Sequence, residues 1–453
     1  MAKWRDQSND GVGKSGGTAR DLQPRQMPLG GLYNPSGDAK HWYVPASDRT
    51  VHWGYFSKNL RPIVEVASGD YLTLECLTHQ AGDDPARMIK GDPGVESVYH
   101  WTRDQKNVRR RGAGPMQAPN GAGGGQGVHI LTGPIGVRDA QPGDILEVRI
   151  LDMYPRPCAN PEYPNRAFGT NLAANWGYHY RDLIEEPRPR EVVTIYEFDA
   201  TGGRDWARPL YNYRWGPFTD PDGIVHRLYD YPGLVVDPAN YEPRHGILKN
   251  VRVPIRPHFG TLGLAPKEAD MVSSIPPNYT GGNVDDWRIG KGATLYYPVS
   301  VEGALLSAGD THAAQGDSEL CGTAIESSWT GLFQIILHQR GDIADASMLS
   351  RVNSPLLETQ DEWVVHGFSY PQYLTELGPD AQRDIFVKSS IDLAMRDAFR
   401  KIRDFLMHAH RLSEDEAISL ISVAVDFGVT QIVDGNWGVH ASLRKRVFSD
   451  DNG

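Results

Sequence analysis

The chain has 453 residues, a net charge of −11, 40% hydrophobic and 23% charged residues. These are globular proportions, and the acidic balance excludes nucleic acid and anionic membranes as main partners. Three widely spaced cysteines, Cys76, Cys158 and Cys321, exclude a disulfide framework or zinc knuckle; Cys321 reads as a small buried apolar residue. The polar N-terminus lacks a signal-peptide core, and no run approaches the roughly 18 apolar residues of a membrane span. A reducing cytoplasm is therefore the expected compartment.

Residues 1–30 are rich in Gly, Ser, Gln and Asp and read as a flexible arm. The β pattern begins near Val51. Ile63–Ala67 leads through the turn Ser68-Gly69-Asp70 into Tyr71–Cys76. The same grammar returns when Ile135–Val137 passes through Pro142-Gly143-Asp144 into Ile145–Ile150. Both second strands alternate apolar with charged or hydroxyl side chains, as half-buried antiparallel strands do. Between the pairs, Gln80–Gly127 reads as a long loop. It holds the basic word Arg109-Arg110-Arg111 and leads to His129.

Cys158–Tyr241 is rich in Pro, Arg, Tyr and Trp. Asn165–Asn171 and Trp176–Tyr180 are candidate pocket walls there, although aromatic clusters serve packing more often than ligands. Leu248–Ile255 and Phe259–Pro266 read as strands. So do Leu332–Leu337 and Trp363–Phe368, with His366 structural. Ile391, Met395, Ala398, Ile402, Phe405, Leu406 and Ala409 form an apolar helical stripe. Ser413-Glu414-Asp415-Glu416 is a capping box opening a second helix, and a strand through Val429–Val433 follows.

Chemistry concentrates in Gly281–Glu326. Two polar, turn-rich clusters, Gly281–Asp286 and Gly309–Glu319, flank the strand words Thr294–Val299 and Gly303–Ser307. A hairpin of those two strands would bring the clusters together. Asp285, Asp310 and His312 make an O,O,N ligand set for a divalent metal, and Glu319 lies where a general acid or base could stand. Ordinary turn chemistry accounts for the same Gly-Asp and Gly-Gly-Asn words, and spacing alone does not decide between the two.

Longer words in the chain carry a resemblance. They are Gly281-Gly282-Asn283-x-Asp285, Tyr297-Pro298-Val299, Gly309-Asp310-x-His312, Gln315-Gly316-Asp317-x-Glu319 and Glu326. Gly133-Pro134, Gly260-x-x-Gly263-x-Ala265-Pro266 and Val425-Asp426-Phe427 join them. The chain resembles the acetamidase/formamidase family, whose words it follows in order from about Val51 to Lys445. The family pattern reads Gly-Asp-Gly-Glu where this chain has Gly316-Asp317-Ser318-Glu319, so a differently shaped loop is expected there.

The resemblance implies a mainly β protein, a β-sandwich of jelly-roll type with a smaller α+β portion. The boundaries expected are 1–30 for the arm, 31–340 for the catalytic sandwich and 341–453 for the α+β segment. It implies hydrolysis of a carboxamide C–N bond, with formamide-like, acetamide-like or cyclic amides as substrates. The expected metal is zinc, with calcium or iron as alternatives, on Asp285, Asp310 and His312. Glu319 would be base then acid, Asn283 or Gln315 would orient the amide, and Glu326 would support His312 or a loop. As aligned with longer family members, His129 would bind substrate or metal, or serve structure. A homo-oligomer is expected. The competing readings are a non-catalytic jelly roll that holds Ca²⁺ and a sugar, and a metal oxygenase.

Overall fold

The computed structural model describes residues 22–27, 38–99, 127–185, 190–220, 223–230, 233–345 and 347–448. The Arg109–Arg111 word, the Gly-rich end of its loop and most of the N-terminal arm lie outside them. Within the arm, Arg25–Met27 is a short strand paired with His41–Val44.

Two large sheets face each other. The first runs, in spatial order, Arg25–Met27, His41–Val44, Tyr71–Cys76, Trp329–His338, Ile145–Pro155, Thr294–Pro298, Leu356–Glu358, Glu362–Phe368, Gly438–Arg444 and Val425–Gln431. The second centres on Leu306–His312. That strand lies beside His258–Gly263, Ile130–Val137 and Glu326–Ser327. Their inner faces share one core, in which Leu72, Leu74, Leu146, Val148 and Phe333 of the first sheet meet Phe259, Leu262 and Leu306 of the second. The alternation read in Ile145–Ile150 explains its orientation. Leu146, Val148 and Ile150 join the core, while Glu147 bonds the His338 imidazole at 2.6 Å.

The long helix spans Ile391–Ala409 and the second Glu414–Ala424, with both arms of the Ser413/Glu416 capping box formed. The buried stripe of the long helix is Ala394, Ala398, Ile402 and Leu406, and Met395 is exposed. Small residues win this face because the helix presses on Gly367, where an added Cβ would stand 2.2 Å from the Ala398 nitrogen.

Four sequence expectations are corrected. Ile63–Ala67 does not pair with Tyr71–Cys76, nor Ile135–Val137 with Ile145–Ile150: Val64–Val66 and Ile130–Val137 lie in the second sheet, Tyr71–Cys76 and Ile145–Pro155 in the first. Thr294–Pro298 and Leu306–His312 do not form a hairpin; they lie in opposite sheets. Gly303, Ala304 and Leu305 all take positive φ (73°, 59° and 57°), and this run carries the chain across the sandwich. Leu248–Ile255 is mostly irregular, with only Val253–Pro254 paired. The start of the Gln80–Gly127 loop is helical: Pro85–Met88 and Pro93–Val98 are capped by Asp84 and Asp92, each before a proline that suits a first helical turn.

Asp92 also anchors a buried ion triad. Arg156 bonds Asp92 at 2.6 and 2.8 Å and Glu75 at 2.7 Å. Burial pushes the Asp92 carboxyl up, but the Arg156 charge and hydrogen bonds outweigh it and hold the carboxyl below its usual range. Its contribution to stability is present above about pH 4 and is lost as pH falls through the lower folded value. Arg156→Met strands two carboxylates and should cost about 3 kcal/mol or more in urea unfolding at pH 7. The penalty should shrink toward pH 3; a constant penalty would show that packing, not charge, dominates.

Candidate active site

Three strands bring the two acidic corners together without the predicted hairpin. His258–Gly263 lies between Gly281–Asn283 and Leu306–His312. Beyond Asn283 the chain folds back, and the Val284 and Asp285 nitrogens both reach the Gly260 carbonyl at 3.0 and 3.2 Å. Asp285 and Asp310 take positive φ (54° and 51°) on either side of Gly260. A Cβ on Gly260 would stand 2.5 Å from Asp285 Oδ1, 2.5 Å from His312 Cε1 and 2.7 Å from Asp310 Oδ2. Only a residue without a side chain leaves that space.

Around this cradle lie three overlapping groups whose ligand atoms all fall within 4.8 Å of one another: His79, His129 and Asp310; Asp310, His312 and Glu326; and Asp285, His312 and Glu319. All are buried. Asp310 belongs to two groups, with Oδ1 3.5 Å from His79 Nδ1 and Oδ2 3.6 Å from His129 Nε2. His312 Nε2 lies 3.2 Å from Glu326 Oε1 and 3.6 Å from Asp310 Oδ1.

Many of these atoms lack hydrogen-bond partners. His79 Nδ1, Asp285 Oδ1, Asp310 Oδ1, His312 Nε2, Glu326 Oε2 and Asp434 Oδ2 are buried with no aligned bond among the described residues. Buried polar atoms are normally satisfied, so this many orphans at one point indicate a missing partner. Imidazole nitrogens and carboxylate oxygens that converge without thiolates suit a divalent metal of the zinc, manganese or iron type. The site fits such an ion.

The electrostatics agree. Burial and then the charges of Asp434 and Asp310 raise the Asp285 carboxyl well above its usual range. Burial and then Asp285 do the same to Glu319, and burial and then Glu319 to Asp434. Asp310 goes the other way. Burial opposes its charge, but the facing imidazoles of His129 and His312 hold it well below the usual range. Burial disfavours a charged His312, yet Glu326 and Asp310 outweigh it and raise the imidazole well above its usual value. The raised carboxyls and the raised imidazole mark a centre crowded with negative charge, which a cation at the same oxygens would relieve.

Neighbouring contacts orient these side chains. Burial lowers His258 to about 4, so the ring is neutral. Its Nδ1 donates to the Arg256 carbonyl at 2.6 Å, which leaves Nε2 to accept from His312 Nδ1 at 3.0 Å. His312 therefore points Nε2 into the cluster, the arrangement that metal-binding imidazoles favour. Gln315 supports the same orientation. Its amide nitrogen donates to the Asp285 carbonyl at 2.6 Å, and its oxygen lies 3.1 Å from His312 Nδ1. Asn283 accepts from Thr261 at 2.6 Å and donates to the Ile275 carbonyl at 3.2 Å. His129 Nδ1 bonds Ser274, so its Nε2 faces Asp310.

His366, read as structural, is fully buried and bonds Asp286 at 2.9 Å. Cys321 is half-buried rather than buried, and all three thiols are free. Sequence reading missed His79, His258 and Asp434. His79 lies outside the words that carry the resemblance, and His258 and Asp434 each fall one residue beyond a strand read at Phe259–Pro266 or Val429–Val433, whose pattern marks no ligand.

Ser318 stands where the family pattern has glycine, and its backbone is left-handed. It holds φ of 78°, next to Glu319 at 47°. Its N–H bonds the Thr430 carbonyl at 2.9 Å, and its own carbonyl accepts from Ile432 at 3.2 Å. Tertiary pairing thus enforces a conformation that costs about 1–2 kcal/mol for a residue with a Cβ. Ser318→Gly should raise stability by up to about 1 kcal/mol, after roughly 0.4–1 kcal/mol is lost to a more flexible unfolded chain. A lower melting temperature in the variant would refute the strain.

The fold and site together define a mainly β protein with a buried imidazole–carboxylate centre. The family pattern described as Acetamidase/Formamidase matches residues 126–274 and 267–449, and the chain belongs to that family. It is 34% identical over 221 residues to the acetamidase of Mycolicibacterium smegmatis, covering 44% of this chain and 50% of that protein. It is 26% identical over 351 residues to the formamidase of Methylophilus methylotrophus, covering 68% of this chain and 74% of that protein. The chain thus spans about half the length of the first relative and about three-quarters of the second. The structure is similar to an acetamidase from Yersinia enterocolitica, with TM-score 0.60, 18% identity and 92% and 95% of the two chains covered. It is also similar to one from Bacillus halodurans, with TM-score 0.57, 22% identity and 89% and 98% covered. These structural likenesses show a shared fold. Among the described residues no helix is long and apolar enough to cross a membrane.

Proposed function

We propose that this chain hydrolyses the C–N bond of a carboxamide, linear or cyclic, to a carboxylic acid and ammonia or an amine. The observation that carries the reading is the convergence of unpartnered ligand atoms on Gly260. Asp310, His312 and Asp285 would hold a divalent cation, zinc foremost, with Glu326, His79 and His129 completing the seats on either side of Asp310. When bound, such an ion polarises a carbonyl oxygen and brings the pKa of a coordinated water to about 7.

The chain's own residues do the rest. Glu319, raised by burial and by Asp285, is suited to take a proton from water and return it to the departing nitrogen. An amine anion is a poor leaving group, so that return is essential. His258 and Gln315 keep His312 in the right tautomer and orientation. Burial of the whole cluster excludes bulk water and strengthens each charge interaction. Three free thiols fit a reducing compartment such as the cytoplasm, and a homo-oligomer is the proposed assembly.

The test is ammonia release from formamide, acetamide and a cyclic amide, with metal content measured before and after chelation. Chelation should abolish release and lower the melting temperature, because the ion binds only the folded state. Release that persists in fully metal-free protein would overturn the reading.

A further inference from the structure

The geometry points to a substrate-side-chain site beside Glu319: the cleft that borders its loop takes an apolar, ring-sized substituent, neutral or cationic, on the amide. This rests on the amidohydrolase reading above. The cleft measures about 600 Å³ and is lined by Ser318 and Leu320, the two neighbours of Glu319 in the chain. Across from them stand Ile391, Ile432 and Trp437, and Tyr178 closes another side. Glu319 itself is buried and does not line the cleft; its two chain neighbours place the cleft one residue away from it.

Both walls are fastened to the loop that carries Glu319. Tyr178 N–H bonds the Leu320 carbonyl at 2.9 Å, and Trp176 Nε1 bonds the Gly322 carbonyl at 2.9 Å. On the other side, the Ile432 and Ser318 backbones are paired. A group lodged in the cleft is therefore held in fixed relation to Glu319, and such positioning raises the rate at the reacting carbon.

Size and polarity choose the occupant. The cleft is in the range of small-molecule sites, and formamide or acetamide would leave most of it empty. Tyr178 and Leu320 are 56% and 41% exposed, apolar surface that a ring would cover. The rim carries Asp317 and Asp392. Asp317 accepts from the Trp287 indole at 2.8 Å, and Asp392 accepts from Arg396 at 2.8 Å. Both carboxylates have an arginine beside them, Arg396 at 2.8 Å from Asp392 and Arg288 at 3.8 Å from Asp317, but no cationic side chain is among the lining residues, so a substituent that ends in a carboxylate finds no partner there.

The test compares kcat/KM for acetamide, phenylacetamide and succinamate in the metal-loaded protein and in Tyr178→Ala and Trp437→Ala. Phenylacetamide should exceed acetamide by about tenfold or more, and succinamate should be the poorest. Each variant should lower the phenylacetamide value about tenfold while acetamide stays nearly constant. Equal values for acetamide and phenylacetamide, or an equal fall for both in the variants, would overturn the inference. Calorimetric binding of phenylacetamide separates the two readings. If no amide is cleaved yet phenylacetamide binds and Trp437→Ala weakens it, the site stands and the amidase reading falls. If phenylacetamide does not bind, the site falls.

Discussion

Gly260→Ala should fold and should lose its metal and its activity together. The added carbon would stand 2.5–2.7 Å from Asp285 Oδ1, His312 Cε1 and Asp310 Oδ2, all well inside van der Waals contact. None can yield cheaply. Asp285 is tethered through its own backbone to the Gly260 carbonyl, His312 is pinned by His258 and Gln315, and Asp310 sits within a paired strand. Relief requires a shift of roughly 1 Å, which is enough to cost about a hundredfold in rate where geometry is critical. The stability cost of overpacking is about 1–3 kcal/mol. Gly367→Ala is the control, because its Cβ would clash as badly, but with Ala394 and Ala398 of the long helix rather than with any atom of the cluster. It should destabilise the protein and leave the metal-to-protein ratio unchanged. Full metal occupancy and normal turnover in Gly260→Ala would mean that the cradle is not the centre.

That experiment also probes what the sequence could reveal. Asp285, Asp310 and His312 were legible because loop carboxylates and an imidazole gathered in two short words. The structure brings all three to Gly260, although Asp285 and Asp310 fall in different ligand groups that share His312 and the expected route was wrong. A hairpin is the local way to join two neighbouring strands, and the strand words of Thr294–Val299 and Gly303–Ser307 suit one. The outcome turned on positive φ at Ala304 and Leu305, which no propensity favours in residues with a Cβ. Convergence comes instead from His258–Gly263, a strand nearly fifty residues upstream of Leu306–His312 in the chain. His79 follows a strand of the opposite sheet, and Asp434 lies in the C-terminal segment. A side chain delivered by long-range pairing leaves no periodicity near itself. Local rules placed the capped helix after Ser413 and the strand Tyr71–Cys76, although that strand is buried along its whole length and pairs parallel with His41–Val44, not half-buried as its alternation implied.

Glu319→Gln should separate catalysis from stability. The amide keeps the shape of the carboxyl but cannot accept and return a proton, so kcat should fall by about 10²–10⁴ while metal content stays near the wild-type value. Stability should move the other way. Burial and Asp285 raise the Glu319 carboxyl well above its usual range, so the folded metal-free protein holds a proton that the unfolded chain releases. The stabilisation this gives is fully present below the unfolded carboxyl value of about 4.3 and is lost as pH rises through the folded one. Glutamine mimics the protonated acid at every pH. The melting temperature of metal-free Glu319→Gln should therefore equal the wild type near pH 4 and exceed it at pH 8. Asp285, Asp434 and Glu326 are common to both proteins, so the difference between the two curves reports position 319. A variant that keeps its kcat would remove Glu319 from proton transfer. A variant that melts lower than wild type at pH 8 would show instead that the carboxylate is already satisfied there, and the argument that this centre is crowded with negative charge would fail with it.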